Sequence, residues 1–282
     1  MSHPLDSRAQ LFESSWGQEQ GRGRLAGRCI VVVGAGQRAS HPDTMGNGRA
    51  ISLLFALEGA GVACVDRDEA SAKYTMLSIL GKSPHAKACA IVADVTREEE
   101  VASMMAQAKT TFGGLDGIVI NVGVSNGKRL DDLDAESWEA VLSVNLRAHV
   151  FVAKHAMRTL KAGGAIVFIS SLASQSPSSR QPAYEASKAA LPALCRAVAL
   201  EGQKHGIRAN VVSPGLIDTP MGRDASARRP DRTSRPLPFG RQGTAWEVAH
   251  AALFLISHDA SYVNGQDVFV DGGLGSEIAL QA

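Results

Sequence analysis

Short apolar runs alternate with longer amphipathic stretches along most of the chain. The run at 166–169, for example, is apolar at every position, and strands without a polar face are typical of a parallel sheet that is covered on both sides. The pattern predicts strands at 28–33, 62–66, 87–92, 116–120, 164–169, 207–212 and 267–270, and helices at 47–59, 69–80, 97–112, 135–161, 181–203 and 245–257.

A strand–helix–strand unit that repeats six times favours an α/β fold with a parallel sheet and helices on both faces. We expect residues 27–282 to form a single domain. Residues 1–26 are polar apart from a conspicuous pair, Phe12 and Trp16. We expect this segment to be a tail; the alternative is an arm whose aromatic side chains dock on a neighbouring subunit.

Composition excludes several classes of protein. Lys and Arg number 29 against 28 Asp and Glu, whereas a general nucleic-acid binder would carry a larger basic excess. The apolar runs are too short to span a bilayer, and the first 28 residues hold no secretory signal, so a cytoplasmic location is expected. Widely spaced cysteines favour small buried side chains over disulfides or metal ligands, and no metal site is expected; they are Cys29, Cys64, Cys89 and Cys195.

The first predicted strand ends in a glycine-rich turn. Gly34 follows the strand, and Gly46, Asn47 and Gly48 open the next helix. Glycines let the backbone approach a pyrophosphate, and the N–H groups of a helix N-terminus bind it. A purely structural turn is the alternative, but a strand before the turn and a helix after it favour a dinucleotide site.

Asp66 ends the second predicted strand, 18 residues after Gly48. At about this spacing a carboxylate meets the adenosine ribose of a dinucleotide. It would accept a hydrogen bond from a 2′-hydroxyl and repel a 2′-phosphate, so the sequence favours NAD over NADP. Arg67 partly offsets that repulsion, and a solvated charge at a strand end is the alternative.

The next two strands also end in small and polar residues. Asp94 and Val95 follow the third strand, and Asn121 and Gly123 follow the fourth. Ligands of open parallel sheets bind outside the carboxyl ends of the strands. We therefore expect these residues to converge on one crevice.

Tyr184 and Lys188 lie four positions apart at the start of a predicted helix, so their side chains share one face. A cation beside the phenol would lower its pKa from about 10 and make it a usable base. Ser171 lies thirteen residues before Tyr184, at the end of a predicted strand. The three residues together favour acid–base chemistry at the sheet edge.

At this point the chain resembles the short-chain dehydrogenase/reductase family, from about residue 27 to residue 273. The resemblance implies a seven-stranded, doubly wound Rossmann-type fold, usually a homotetramer, and nicotinamide-dependent oxidation of secondary alcohols or reduction of ketones. We expect a homotetramer, with a homodimer as the alternative. Besides the residues named above, it includes Val144, Asn145, Ser170, the run at 210–215, Thr219, Gly265, Gln266 and the run at 270–273.

The resemblance also implies a role for each matching residue. Tyr184 would be the acid–base group, and Lys188 would lower its pKa and hold the nicotinamide ribose. Ser171 would hydrogen-bond the substrate oxygen, and Asn145 would hold a water that links Lys188 to solvent. The nicotinamide would be lined by Pro214, Gly215, Ile217 and Thr219.

Two segments depart from the family pattern. Val33 stands where the family commonly has Thr, and eight extra residues lie within 35–45. This insertion is expected either to fold over the cofactor as a flap or to form an exposed bulge without contacts.

The second departure is 221–241, which takes the place of the substrate lid expected at 218–242. It reads as an irregular excursion with six arginines against two aspartates. Arginine suits carboxylates and phosphates, which points towards an anionic substrate; a solvated lid is the alternative. The arginines are Arg223, Arg228, Arg229, Arg232, Arg235 and Arg241.

The sequence therefore predicts an NAD-dependent oxidoreductase that acts on a small alcohol or ketone, without a nucleic-acid or membrane partner. One alternative is an NADP-dependent carbonyl reductase of the 3-oxoacyl-carrier or sugar dehydrogenase type. Another is a cofactor-binding regulator without catalysis, which an intact set of Asn145, Ser171, Tyr184 and Lys188 disfavours. RNA binding by the basic lid is disfavoured because Phe239 is its one aromatic residue.

Overall fold

A computed structural model of the chain describes residues 11–37, 41, 43–83, 85–176, 180–229 and 237–276. Seven parallel strands form its central sheet. In chain order they are β1 (Cys29–Val33), β2 (Gly61–Asp66), β3 (Ala88–Val92), β4 (Leu115–Ile120), β5 (Leu160–Ile169) and β6 (Arg208–Pro214), with β9 (Asp267–Val270) last; the short β7 (Ile217–Asp218) and β8 (Gly243–Thr244) form a separate pair.

Helices connect the strands and cover both sheet faces. They are α1 (Asn47–Leu57), α2 (Glu69–Lys82), α3 (Glu98–Phe112), α4 (Ala135–Leu142), α5 (Ala148–Thr159), α6 (Pro182–Gly202), α7 (Pro220–Arg228) and α8 (Ala245–Ile256). The predicted α/β, doubly wound, seven-stranded fold in a single domain is confirmed. The helix predicted over 135–161 is interrupted by one π-helical turn, Ser143–Arg147, and it ends where β5 begins.

Alternate residues of each central strand pack into two different cores. Ile30 and Val32 of β1 face a core shared with α1 and α8. Val31 and Val33 face the opposite core, shared with α3 and α5. Burial on both faces is the reason why a central strand such as β1 contains no polar position.

The sheet order β3-β2-β1-β4-β5-β6-β9 reverses direction between β1 and β4. The chain moves from β1 to one side of the sheet and then returns to begin the other side at β4. The loops that leave these two strands therefore separate, and a crevice opens at their carboxyl ends.

Residues 11–26 pack on the domain, which differs from the predicted tail. Leu25 is fully buried, and the Ser15 hydroxyl donates to Glu247 at 3.3 Å. The Arg24 guanidinium donates to the buried Glu58 carboxylate at 2.6 Å. Apolar burial and one buried ion pair thus hold a segment whose local composition is polar; residues 1–10 lie outside the described residues.

The prediction of an irregular excursion at 221–241 is wrong for its first part, which forms α7. Thr219 caps this helix by accepting a hydrogen bond from the backbone N–H of Gly222 at 3.1 Å. Pro220 occupies the first helical position, where its ring favours the helix. Residues 230–236, with Arg232 and Arg235, lie outside the described residues.

The four cysteines are free thiols. Cys64 and Cys195 are fully buried, and burial raises the pKa of each to about 12, so neither is a nucleophile near neutral pH. Within the described ranges, no cluster of three or more His, Cys, Asp or Glu could hold a metal ion, and no helix is long and apolar enough to cross a membrane.

Candidate active site

A cleft of about 1310 Å³ occupies the crevice at the carboxyl ends of the strands. Of the predicted site residues, only the buried Asn145 does not line this cleft. The others are Gly34, Gly46, Asn47, Gly48, Asp66, Arg67, Asp94, Val95, Asn121, Gly123, Ser171, Tyr184, Lys188, Pro214, Gly215, Ile217 and Thr219.

The glycine-rich turn between β1 and α1 is packed too tightly for side chains. A Cβ on Gly48 would lie 1.9 Å from the Gly34 carbonyl oxygen and 2.7 Å from the Asn121 amide nitrogen. Gly34 adopts a φ of +78°, which favours glycine. The Asn121 side chain donates to the same Gly34 carbonyl at 2.9 Å. The turn therefore exposes backbone to the cleft, as a bound pyrophosphate requires.

Side-chain hydrogen bonds of Gln37 hold the two ends of the insertion within 35–45 together. The Gln37 amide oxygen accepts from the Gly46 N–H at 2.8 Å, and its amide nitrogen donates to the Thr44 carbonyl at 2.6 Å. These bonds close the loop back to the start of α1.

The insertion also contacts α7. The Asp43 carboxylate accepts from the Arg223 guanidinium at 2.6 Å, and the His41 ring lies 3.1 Å from the Asp224 carboxylate. The alternative prediction, an exposed bulge without contacts, is therefore wrong for the described residues of the insertion. Residues 38–40 and 42 lie outside the described residues. The flap over the cofactor stays a prediction.

Asp66 ends β2 with its carboxylate at the wall of the cleft. One carboxylate oxygen accepts from the Gly36 N–H at 2.9 Å, and the other accepts from the Asp68 N–H at 3.1 Å. The carboxylate thus anchors the glycine-rich turn and retains lone pairs for a further donor. Arg67 lines the same part of the cleft.

Asp94 lies two residues after β3, and its carboxylate accepts from the Thr96 hydroxyl at 2.7 Å and the Thr96 N–H at 3.0 Å. Burial raises the pKa of Asp94, but these hydrogen bonds outweigh it and hold the pKa below its ordinary value. Val95 is buried beside it. The side chain therefore stays charged and fixed at the cleft wall.

Ser171, Tyr184 and Lys188 meet beside the end of β5. The Ser171 hydroxyl oxygen accepts from the Ala173 N–H at 3.2 Å, which leaves its proton to donate to a ligand. Tyr184 lies half-buried in the first turn of α6. The Lys188 ammonium is buried and donates to the Ile169 carbonyl at 3.0 Å. Burial lowers the pKa of Lys188 to about 8.

Asn145 lies in the π-helical turn between α4 and α5, fully buried. Its amide oxygen accepts from the Val124 N–H at 2.8 Å, and its amide nitrogen donates to the Val124 carbonyl at 2.9 Å and the Ser187 hydroxyl at 3.0 Å. A Cβ on Gly123 would lie 3.3 Å from the Lys188 ammonium and 3.7 Å from the Asn145 amide oxygen. Both polar groups thus converge on Gly123.

The far wall of the cleft follows β6. The Gly215 N–H donates to the Val270 carbonyl at 3.0 Å, and a Cβ on Gly215 would lie 2.6 Å from Cβ of Asp271. Ile217 and Thr219 are buried beyond it, and Pro214 precedes it. Close packing therefore fixes the backbone that leads into α7.

The sequence reasoning missed Gln181 and His149. The Gln181 amide oxygen accepts from the Gly127 N–H at 3.1 Å and from the Ser125 hydroxyl, so it joins the loop after β4 to the start of α6. The buried His149 ring stacks on Phe168 with ring centroids 6.2 Å apart. Burial first, and the Lys188 charge second, lower its pKa well below the ordinary value. No local sequence pattern marks either residue.

Comparison with known proteins identifies the same family over most of the chain. A family model described as enoyl-(acyl carrier protein) reductase matches residues 43–275. The (3R)-3-hydroxyacyl-CoA dehydrogenase of Rattus norvegicus is 33% identical over 261 residues, which cover 89% of this chain and 97% of that protein. The cis-4-hydroxycyclohexanecarboxylate dehydrogenase of Sinomonas cyclohexanicum is 36% identical over 252 residues, 88% of this chain and 97% of that protein.

A similar solved structure is that of levodione reductase, with a TM-score of 0.82 and 28% identity, covering 90% of this chain and 99% of that one. The chain belongs to the short-chain dehydrogenase/reductase family. It is an oxidoreductase of the kind that acts on hydroxyl and ketone groups. The cofactor of this family is NAD or NADP, and the cradle around Gly34 and Gly48 fits its pyrophosphate.

Proposed function

We propose that this protein is an NAD-dependent oxidoreductase that interconverts a secondary alcohol and a ketone, with Tyr184 as the acid–base group. The observation that carries this proposal is the convergence of Tyr184, Ser171 and Lys188 at one wall of the cleft, opposite the glycine-rich turn. The names of similar proteins support the reaction class, since they are dehydrogenases and reductases of hydroxyl and carbonyl groups.

A bound nicotinamide would supply the acceptor or donor of hydride. In the oxidative direction, the Tyr184 phenolate takes the proton from the alcohol and becomes the hydroxyl; in the reductive direction, the Tyr184 hydroxyl donates its proton to the carbonyl oxygen and returns to the phenolate. Ser171 donates a hydrogen bond to the same substrate oxygen and so orients it. Lys188 stabilises the phenolate by its charge. Because burial lowers the pKa of Lys188 to about 8, the ammonium is still the main form at neutral pH and can pass a proton on above it.

Asn145 acts as a positioning residue in this scheme. Its amide fixes the Val124 backbone and the Ser187 hydroxyl, and the Ser187 hydroxyl donates to the Tyr184 carbonyl at 2.7 Å. These bonds connect the π-helical turn to the first turn of α6. They support a role for Asn145 in holding Tyr184 and Lys188 at their places.

Asp66 supports NAD over NADP, because its carboxylate at the end of β2 would repel a 2′-phosphate. An NADP-dependent carbonyl reductase is the competing candidate, and Arg67 at the same wall is the observation that favours it. A homotetramer, which is frequent in the family, stays a prediction that sedimentation velocity checks directly.

The reaction is tested by a screen of secondary alcohols with NAD, read at the absorbance of the reduced cofactor. Tyr184→Phe should lower turnover at least about 100-fold while NAD binding persists, because general acid–base groups contribute about 10²–10⁴-fold. Tyr262→Phe is the matched control, since the Tyr262 side chain is fully exposed. Turnover by Tyr184→Phe within about tenfold of the parent would assign the base to another group.

A further inference from the structure

Charge divides the cleft into two halves. The acidic side chains that line it, Asp66, Asp68 and Asp94, belong to the ends of β2 and β3 and the turns after them. The half that holds Tyr184 has no acidic lining residue among those described, and Arg129, Arg180 and Arg229 line it instead. The part of the cleft expected to receive the substrate is therefore positively charged.

Two of the lid arginines expected to carry this charge have acidic partners. Arg223 is bound by Asp43 and Asp218, and Arg241 donates to the Glu247 carboxylate at 2.7 Å. Their positive charges are neutralised by the protein itself. Outside the lid, Arg129 in the loop after β4 and Arg180 before α6 bring positive charge to this half of the cleft.

Within the described part of the chain, no carboxylate oxygen lies within 4.0 Å of the guanidinium nitrogens of Arg129 or Arg180. Both residues are exposed to the cleft. Their backbones are held near each other, because Gln181 accepts hydrogen bonds from Ser125 and Gly127. Two arginines without acidic partners among the described residues thus line the cleft from backbone segments that are joined by Gln181.

The backbone at Arg180 also points to a ligand at this place. Arg180 has a φ of +54°, a left-handed conformation that costs free energy in a non-glycine residue and is concentrated at functional sites. Arg180 lies two residues before Pro182, the first residue of α6. That helix spans 21 residues and receives no side-chain cap from Gln181, so its positive end adds to the attraction for an anion.

We propose that the substrate is a secondary alcohol or ketone that carries an oxyanion group, a carboxylate or a phosphate, and that Arg180 and Arg129 bind this group. The inference rests on the proposed function, because Tyr184 must act on the hydroxyl or carbonyl end of the same molecule. Arginine provides a planar pair of donors that matches both kinds of oxyanion. Arg180 lies four residues before Tyr184, so the anionic group would lie close to the reacting carbon.

The test compares anionic alcohols with related neutral alcohols, with NAD as acceptor. The pairs are 3-hydroxybutyrate with its methyl ester, and sn-glycerol 3-phosphate with 1,2-propanediol. The parent protein should prefer the anionic member of at least one pair about tenfold or more in kcat/KM, and the pair that responds identifies carboxylate or phosphate. The double variant Arg129→Gln, Arg180→Gln should lose most of that preference, because each charged hydrogen bond contributes about tenfold or more.

Arg158→Gln is the matched control, because Arg158 is an exposed arginine of α5 outside the cleft; it should keep the preference. Neutral alcohols oxidised as well as the anionic ones, or a preference that survives in the double variant, would overturn the inference and leave the proposed function intact.

If the protein oxidises none of the four alcohols, the result counts against the proposed function. The anion site is then tested separately, by ligand binding. Butyrate, inorganic phosphate and butyramide are compared by ligand-observed NMR on the protein with NAD. Binding of butyrate or phosphate that the double variant loses supports the anion site. Equal binding of butyramide, or no binding of either anion, overturns it.

Discussion

Arg223 and Asp43 join two segments that lie 180 positions apart in the sequence, at a distance of 2.6 Å between guanidinium and carboxylate. Asp218 holds the same guanidinium from the other side at 2.7 Å and 3.0 Å. The insertion in the glycine-rich turn is thereby connected to the first turn of α7. A change in either segment is transmitted to the other.

We therefore expect Arg223→Gln to weaken NAD binding by about two- to fivefold, because an exposed ion pair contributes little free energy. Deletion of the eight extra residues within 35–45 should have at least the same effect. Arg228→Gln changes an exposed arginine of the same helix and should leave the NAD dissociation constant unaltered. The NAD dissociation constants of the parent, the two substitution variants and the deletion variant are measured by titration. Equal values for all four would show that the insertion contributes nothing to cofactor binding.

Asp66→Ala should erode the preference for NAD. The variant loses both the acceptor for the 2′-hydroxyl and the repulsion of the 2′-phosphate, so the ratio of kcat/KM for NAD to that for NADP should fall by about 10- to 100-fold. Asp68→Ala is the control. The Asp68 carboxylate caps α2 by accepting from the Ser71 N–H at 2.9 Å, so its loss should lower stability by about 1 kcal/mol without altering the ratio. An unchanged ratio in Asp66→Ala would remove Asp66 from cofactor selection.

Gly48→Ala should disrupt the dinucleotide cradle. The new Cβ would lie 1.9 Å from the Gly34 carbonyl oxygen, so the turn must move, and the NAD dissociation constant should rise about tenfold or more, with a lower melting temperature. Gly81→Ala on α2 is matched, because no atom lies within 4 Å of its new Cβ. It should raise stability by about 0.5–1 kcal/mol. Normal NAD binding by Gly48→Ala would contradict the described packing of the turn.

Lys188 should make stability depend on pH. Burial lowers its pKa from 10.5 to about 8 in the folded protein. Between these values the unfolded chain binds more protons than the folded one, so the parent gains stability as the pH rises. The variant Lys188→Met lacks this titrating group. Its free energy of unfolding minus that of the parent should therefore be highest below pH 8 and should decrease by roughly 3 kcal/mol towards pH 10.5. Urea unfolding across this range measures the difference, and a constant difference would mean that the ammonium is not buried.

Arg24→Ala should destabilise the protein by about 1–3 kcal/mol, since it leaves the buried Glu58 carboxylate without its charged partner. Arg22→Ala is the control, because the Arg22 side chain is 73% exposed. Burial raises the pKa of Glu58, but the hydrogen bonds from Arg24 and from two backbone N–H groups outweigh it and leave the pKa below 4.5. The loss of stability caused by Arg24→Ala should therefore be largest above pH 4.5. It should decrease as the pH falls through the pKa that Glu58 has in the folded protein. Equal stability of the two variants at pH 7 would contradict the role of Glu58.

The local pattern of apolar and polar residues was sufficient to predict the sheet, because a parallel strand such as β1 needs an apolar residue at each position and little else. It was also sufficient to bring Ser171, Tyr184 and Lys188 to one cleft, since the carboxyl ends of parallel strands lie on one edge. It failed for α7, where arginine and proline suggest an irregular lid but the Thr219 cap and Pro220 start a helix.

Long-range contacts account for most of the remaining differences. Glu58 directly follows α1, at a position where a polar residue is usual. The packing of residues 11–26, with Arg24, buries it. In the same way, Asp43 and Arg223 are unremarkable charges in their own segments. Nothing within a few residues of any of these positions indicates its partner, because the partner is brought there by tertiary packing.

The π-helical turn at Ser143–Arg147 also constrains how this enzyme can evolve. A turn with i→i+5 bonding contains one residue more than regular α-helix would need, so deletion of a single residue there would restore a regular helix from α4 to α5. Each residue of an α-helix advances by about 100°, and the deletion would rotate Asn145 away from Ser187 and Val124. We therefore expect the length of this segment to matter as much as the identity of Asn145, and a homologue that lacks the extra residue should have lost the alignment of Tyr184 and Lys188.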